Sequence, residues 1–545
     1  MSENLEVPLG KRTKLYRFLE ILPGATSYSA ILLPFILSAI NPVLGAAFVL
    51  VVLMAMVVKA LGIMVRTVYG YNEMKRAERV DWHKRLTELE TPTESWQRIR
   101  GNRSSGFEWK VHKKNLQRIA ESKIPYPVPS EVLNVVIIAT YNESIDVLQP
   151  TLESVKNTTY DNRNIILVIA YEERGGAAIE ATVKELKRKY DGVFKEFWLV
   201  KHPDGLKNEV VGKGPNITYA GKVVAENLKD RGVGFDKVLV TTLDSDNRPS
   251  EKYFDYATYE FIVREDRKKC SYQPIAMFTN NIWDVPAPMR VIAVGNSFWN
   301  IISSMRPHNL RNFASHSQPL DALYEMDFWS KRTIVEDGHQ YWRSLFHFKG
   351  EYHVVPIHVS IGQDAVLSEG LWKTLKAQFV QLRRWDYGAS DVAYVGSRLF
   401  ASRRKRRMGF WKLFPRFVRL LDGHVTLAIV APIITFGGWV PVLVTGFIHP
   451  YTDDMTAFYL PMVVSQIQLV ASVGLFTTIL VSLRMLPKRP KRYKWPKHVM
   501  MVAQWILMPV TSILYSSGAA FYSQTRLMAG KYMEKFDVTD KAVKK

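Results

Sequence analysis

Hydrophobic and polar positions are distributed unevenly along the chain. Two apolar stretches, 31–40 and 47–65, stand either side of Asn41-Pro42 with no acid or base between them. The second carries Lys59 near its end, where a long side chain can snorkel to the interface. Three further stretches, 424–445, 460–483 and 499–521, contain no Asp, Glu, Lys or Arg. Each of the three is long enough for a helix to cross ~30 Å of hydrocarbon, which takes about 20 residues. The pattern predicts about five membrane spans, two before a long polar region and three after it. A cleavable signal peptide is not expected, because the first run starts late and a second follows at once.

Between these clusters the period changes. Short apolar runs at 133–139 (LNVVIIA), 165–170 (IILVIA), 196–200 and 237–242 (KVLVTT) read as strands. Helical stretches follow the first strand to about 155, then occupy 177–190 and 218–229. Near-continuous apolar strands alternating with helices predict a mostly parallel α/β sheet covered on both faces. Ligands of such sheets bind at the carboxyl ends of the strands. Thr140, Glu172, Glu173, Asp244 and Asp246 all fall there. The division expected is an N-terminal segment with two spans (1–70) and a charged linker (71–130). The α/β domain (131–390), basic amphipathic interface helices (391–423), three spans (424–521) and a tail (522–545) follow.

Charge then orients the spans. The net charge is +22, and basic residues gather on the cytoplasmic side of membrane proteins. Lys11, Arg12, Lys14 and Arg17 precede the first span, and the acid-free loop 484–497 (RMLPKRPKRYKWPK) separates the last two. Both place the α/β domain in the cytoplasm, as an integral, multi-pass protein of the plasma (inner) membrane. The loop with Asp453 and Asp454 then faces outside. The tail, with Arg526, Lys531, Lys535, Lys541, Lys544 and Lys545, conflicts with this scheme. Either Pro509 breaks the last helix so that it re-enters, or the rule fails locally. Arg403 to Arg407, followed by Phe410, Trp411, Phe414 and Phe417, suit a segment lying among lipid headgroups. A nucleic-acid partner is not expected, since no recognition motif accompanies the charge. The single cysteine, Cys270, excludes an intrachain disulfide and a zinc site built on two or more cysteines.

Three motifs carry candidate chemistry. Asp244-Ser245-Asp246 ends the fourth strand, and two carboxylates there can share one Mg²⁺ or Mn²⁺ with a substrate diphosphate. Glu336-Asp337 sets two acids side by side, and one carboxylate can take a proton from an attacking hydroxyl. Gln381-Leu382-Arg383-Arg384-Trp385 lies in a helical stretch. There Gln381 and Arg384 share a face suited to a diphosphate, and Trp385 can stack on a sugar ring.

Ala139-Thr140-Tyr141-Asn142-Glu143, Asp-x-Asp, Glu-Asp and Gln-x-x-Arg-Trp, in this order and between spans, resemble the membrane-embedded family 2 glycosyltransferases. That group includes cellulose, chitin and hyaluronan synthases and ceramide glucosyltransferase. The resemblance implies a GT-A fold, a nucleotide-diphosphate sugar donor (commonly a UDP-sugar), a divalent cation and inversion at the anomeric carbon. It implies donor contacts from Thr140, Glu143, Asp244, Gln381 and Arg384, with Asp246 the metal ligand beside Asp244. Asp337 would be the general base, with Trp385 and Glu336 on the acceptor side. Lys213 and Asn216 in Gly-Lys-Gly-Pro-Asn match a family Lys and Asn near the donor, or form a plain surface turn. Where the family has an Asp after the second strand this chain has Glu172-Glu173, and either could replace it. The family's acceptor motif is replaced by 312–317 (NFASHS), whose His316 is read as structural. The function implied is sugar transfer to a growing polysaccharide, possible translocation included; the alternative is one sugar passed to a membrane lipid.

Overall fold

A computed structural model describes residues 5–122, 125–404, 406–448 and 455–535. The loop acids Asp453 and Asp454, Lys405, and Lys541, Lys544 and Lys545 of the tail lie outside the described residues. The predicted alternation is observed as one sheet. Its strands are β1 (Leu133–Thr140), β2 (Ile165–Glu172), β3 (Glu196–His202), β4 (Val238–Asp244), β5 (Arg248–Pro249), β6 (Cys270–Met277), β7 (Ser317–Pro319) and β8 (His353–Gly362). They lie in the order β3-β2-β1-β4-β7-β6-β8-β5. The β3-β2-β1-β4 half is wholly parallel, and β6 and β8 are parallel to each other. The short β7 runs antiparallel between the two halves.

Period two decides which side chain faces which layer. Val136 and Ile138 of β1 pack with Leu148, Leu152, Ile179 and Val183 on one face. Val135 and Ile137 pack with Ile217, Ala220 and Val224 of helix Lys213–Asp230 on the other. The strands continue past the apolar runs, so β2 includes Glu172 and β4 includes Asp244. The helix expected at 218–229 begins earlier, at Lys213.

The stretch 71–130 is more than a charged linker. Helices Trp82–Thr87, Pro92–Ile99 and Trp109–Glu121 bury Trp82, Leu86, Ile99 and Leu116 in the core, with Trp82 stacked on Tyr256 at 3.5 Å. Its average polarity hides one apolar stripe per helix, which a composition reading misses. Asp391–Leu399 is likewise not an interface helix. Val392, Ala393, Tyr394 and Val395 are buried against Tyr341 and Trp342. Of the aromatic residues expected among headgroups, Trp411 and Phe414 are exposed, whereas Phe417 is buried with Leu413 and Leu420.

Among the described residues four helical stretches are long and apolar enough to cross a membrane: Lys14–Ile40, Pro42–Glu78, Phe410–Ile448 and Pro496–Met528. The remaining run, 460–483, lies within helix Met455–Met485. The first two form the predicted hairpin, and Asn41 caps the second by accepting the Val43 amide at 2.8 Å. The last stretch has both flanks on the α/β domain. On one side the Trp283 indole donates to the Pro487 carbonyl at 3.0 Å, and Arg492 pairs with Asp284 at 2.6 Å. On the other, the Met533 amide donates to the Tyr387 hydroxyl at 3.3 Å and Lys535 bridges to Val211. Between them the helix is interrupted by a 3₁₀ turn over Gln504–Leu507 and a π-helical turn over Ser512–Ser517.

Candidate active site

The carboxyl ends of β1, β2 and β4 open into a cavity of about 450 Å³. Thr140, Glu143, Glu172, Lys213, Asp244, Asp246, Glu336, Asp337, Gln381, Arg384 and Trp385 all line it. Residues from Thr140 to Trp385, distant in sequence, thus meet at one place. Glu173 does not join them; it lies in a smaller pocket outside, accepting the Asp204 amide at 3.1 Å. The strand alternation separates the two glutamates: Glu172 ends β2 and Glu173 begins the turn beyond it.

Glu143 shapes the turn after β1. One of its oxygens accepts from the Thr140 hydroxyl at 2.7 Å and the Tyr141 amide at 2.8 Å; the other accepts from the Ser245 hydroxyl at 3.1 Å. This ties the β1 turn to the Asp-x-Asp loop. Gly175 lets the next loop approach, since a Cβ there would sit 2.0 Å from the Tyr141 carbonyl. Arg174 pairs with Glu172 and lies 3.6 Å over the Tyr141 ring. Asn216 donates to the Ala170 carbonyl at 2.9 Å and holds β2 to its helix.

Lys213 is the electrostatic centre. Its ammonium stands 2.7 Å from Asp244, 3.1 Å from Asp337 and 3.9 Å from Glu336. Burial alone would depress its pKa, but the neighbouring acids, Asp244 first and then Asp337, outweigh burial and hold the lysine charged. Gly214 permits this seam, because a Cβ would meet the Ser330 carbonyl at 2.5 Å. Glu336 and Asp337, the first residues of helix Glu336–His347, differ in environment. Glu336 is 3% exposed, and burial, then the neighbouring Asp337, push its pKa up to about 8. Asp337 keeps 20% of its side chain exposed and meets the lysine with both oxygens. Two adjacent acids are thereby given different surroundings, one buried and one partly open to solvent.

Asp246 is buried and accepts the Asp364 amide at 3.1 Å. Asp364, also on the cavity wall, was not among the residues expected from sequence. It stands two residues beyond the end of β8, as Asp246 stands beyond β4, so the same search for acids at strand ends would have found it had β8 been recognised. Asp244 and Asp246 offer only hard oxygen donors, which fit a Mg²⁺- or Mn²⁺-class ion whose shell a diphosphate completes. His316 lies outside the cavity wall as a structural residue. Its Nδ1 donates to the Phe313 carbonyl at 2.9 Å, and its Nε2 accepts from the Trp329 indole at 3.3 Å.

The opposite wall consists of helices Ala287–Ser304 and Leu371–Asp386. Arg384 is buried, Gln381 accepts from Gln378 at 3.1 Å, and Trp385 is 37% exposed with its ring 6.0 Å from that of Phe278. Asn296, Trp299, Asn300 and Arg311 extend the wall to His424 of the Phe410–Phe436 helix. Sequence reading singled out none of these five for the site; they carry no motif and reach it only through packing.

No family model and no curated protein sequence matches the chain. Solved structures do. A mannosyltransferase from Pyrobaculum calidifontis, in complex with GDP-Man and Mn²⁺, is 12% identical with a TM-score of 0.40, covering 85% of this chain and 99% of that one. S. aureus TarS 1-349 in complex with UDP-GlcNAc is 12% identical with a TM-score of 0.35, covering 75% and 95%. Glucosyl-3-phosphoglycerate synthase from Mycobacterium tuberculosis, with Mn²⁺, UDP and phosphoglyceric acid, is 10% identical with a TM-score of 0.28, covering 51% and 83%. At these identities no substrate and no residue role passes to this chain.

Proposed function

We propose that the chain is an integral membrane, GT-A-type inverting glycosyltransferase. It transfers a sugar from a nucleotide-diphosphate sugar, a UDP-sugar by resemblance, to a growing polysaccharide. The observation that carries this reading is the meeting of Asp244 and Asp246, Glu336 and Asp337, and Gln381, Arg384 and Trp385 around one cavity. Asp244 and Asp246 would hold a divalent cation, which when bound would supply positive charge for the donor diphosphate. Arg384 and Gln381 orient the diphosphate from the helix wall, and Thr140, Glu143 and Glu172 line the nucleotide end. Asp337 accepts the proton of the acceptor hydroxyl as that oxygen attacks the anomeric carbon. Glu336, kept protonated by burial, leaves Asp337 as the base. Lys213 holds Asp337 in place and approaches the donor phosphates when they displace it from Asp244. Trp385, which lines the same cavity as the exposed Trp299, offers an apolar face to the acceptor sugar.

In this reading the α/β domain is cytoplasmic and the +22 charge lies at the inner membrane face, near anionic lipid. The last apolar run enters and returns on that same face, supported by the packing of both its flanks on the domain. The basic tail then agrees with the charge rule. The test incubates purified protein and Mn²⁺ or Mg²⁺ with a panel of labelled nucleotide sugars and sizes the products. A ladder or long polymer is expected. A single sugar on lipid would replace the polymer reading with the lipid one, and no transfer from any donor would overturn both.

A further inference from the structure

Far from the cavity, Cys270 opens β6 and His353 opens β8. The two are paired residues of adjacent parallel strands, so their side chains leave the sheet on the same face. Asp266 stands before the 3₁₀ turn Arg267–Lys269 and is brought back over them by that turn, whose Lys269 amide donates to the Asp266 carbonyl at 2.7 Å. Cys270 Sγ lies 3.3 Å from His353 Nε2 and 3.7 Å from Asp266 Oδ1; His353 Nε2 lies 3.6 Å from Asp266 Oδ2. Among the described residues this is the one preformed group of three metal-ligating side chains.

The spacing approaches that of a coordination shell. With bonds of about 2.3 Å to sulfur and about 2.0–2.2 Å to nitrogen and oxygen, tetrahedral ligand atoms stand about 3.3–3.6 Å apart. The sulfur–nitrogen separation falls in that range, the two carboxylate oxygens of Asp266 each approach one of these atoms, and one ligand atom from each residue lies within 4.8 Å of the other two. Arg264, the neighbouring cation, is engaged by Glu260 at 2.9 Å. His353 and Asp266 are both half exposed, which leaves a fourth position open to water. We propose that Asp266, Cys270 and His353 form a zinc-class metal site with a water ligand, separate from the all-oxygen site of the cavity. A thiolate and an imidazole select a softer ion than the Mg²⁺ or Mn²⁺ suited to Asp244 and Asp246. On binding, the Cys270 thiol releases its proton to solvent and a sulfur–metal bond forms, without change of oxidation state. Ala276, which lines the cavity, is six residues along β6, about 20 Å away at 3.3 Å per residue. The ion therefore staples the starts of two strands whose far ends carry Ala276, Gln363 and Asp364 into the cavity.

Cobalt tests this without reference to activity. Full-length protein in detergent, stripped with a chelator, is titrated with Co²⁺. Cys270 is the only cysteine, so a sulfur-to-cobalt charge-transfer band can arise at this site alone. The expected result is that band together with the intense visible bands of four-coordinate cobalt, both displaced by stoichiometric Zn²⁺. Cys270→Ser abolishes the sulfur band. His353→Gln and Asp266→Asn, which spare the thiol, each weaken zinc by at least about tenfold. Should Cys270→Ser fail to fold by circular dichroism, those two variants carry the test. The proposal is overturned if folded wild-type protein gives no sulfur band. It is also overturned if Zn²⁺ leaves the rate of Cys270 modification by a thiol reagent unchanged, or if both variants bind zinc as wild type does.

Discussion

On the sheet wall of the cavity the charged groups already have partners, whereas the helix wall presents Trp385 and Trp299 with open faces. Lys213 spans Asp244 and Asp337, Glu143 gathers the Thr140, Tyr141 and Ser245 donors, and Asp246 accepts the Asp364 amide. Trp385 is 37% exposed and Trp299 56%. The difference is one of physics. Charge in a partly dry site must be held in place, since an unpaired buried charge costs several kcal/mol. A sugar ring needs only a face to stack on, and a growing or bulky acceptor needs room. In the proposed reading, donor chemistry therefore sits on the sheet and acceptor handling on the membrane-side helices.

The largest expected effect belongs to the sheet wall. Asp337→Asn should lower transfer by about 10²–10⁴-fold, the usual contribution of a general base, while donor affinity stays within a few-fold. Initial rates beside calorimetric donor binding check it, and near-full turnover would remove Asp337 from that role. Asp246→Ala should weaken Mn²⁺-dependent donor binding by about 10–100-fold, with little change in metal-free binding. Equal loss with and without Mn²⁺ would put Asp246 elsewhere than on the ion.

Glu336→Gln sharpens the contrast between the two adjacent acids. Its folded pKa, about 8, lies above the ordinary carboxyl value of 4.5. Between those pH values the native state keeps a proton that the unfolded chain has released, so stability falls as pH rises through the window. Below about 4.5 both states hold the proton and the group contributes nothing. Thermal unfolding of wild-type protein should therefore shift to lower temperature from pH 5 to pH 8 more steeply than that of Glu336→Gln. Parallel curves would mean that Glu336 is not held protonated.

The smallest effect is expected on the helix wall. Trp385→Ala removes a stacking face worth about 0.5–1.5 kcal/mol, which is a rise of about 2–10-fold in acceptor KM with donor KM unchanged. A reverse pattern, donor KM rising alone, would collapse the division between the walls.

Much of this was legible in the sequence because it rests on local pattern. Apolar runs without charge mark the helices long and apolar enough to cross a membrane, since an unpaired charge in hydrocarbon is costly at any position along them. Short apolar runs alternating with helices mark the parallel half of the sheet, since both its faces are covered. Acids at strand ends, Asp244 above all, mark the site, since parallel sheets converge their strand ends on one rim. What the sequence left open depends on contacts between distant segments. Glu172 faces the cavity and Glu173 does not, because β2 ends between them. Only packing reveals that Asp364 stands beside Asp246, that Trp82, Leu86, Ile99 and Leu116 join the core, or that Lys535 returns to Val211. Lys213 is the clearest case. By itself it is a basic residue between two glycines, which suits an exposed turn. Its place as a buried charge among three acidic side chains exists only once β4, its own helix and the Glu336–His347 helix are brought together. One sequence determines which segments fold locally, but the field at a site is a sum over neighbours, and tertiary structure alone decides who they are.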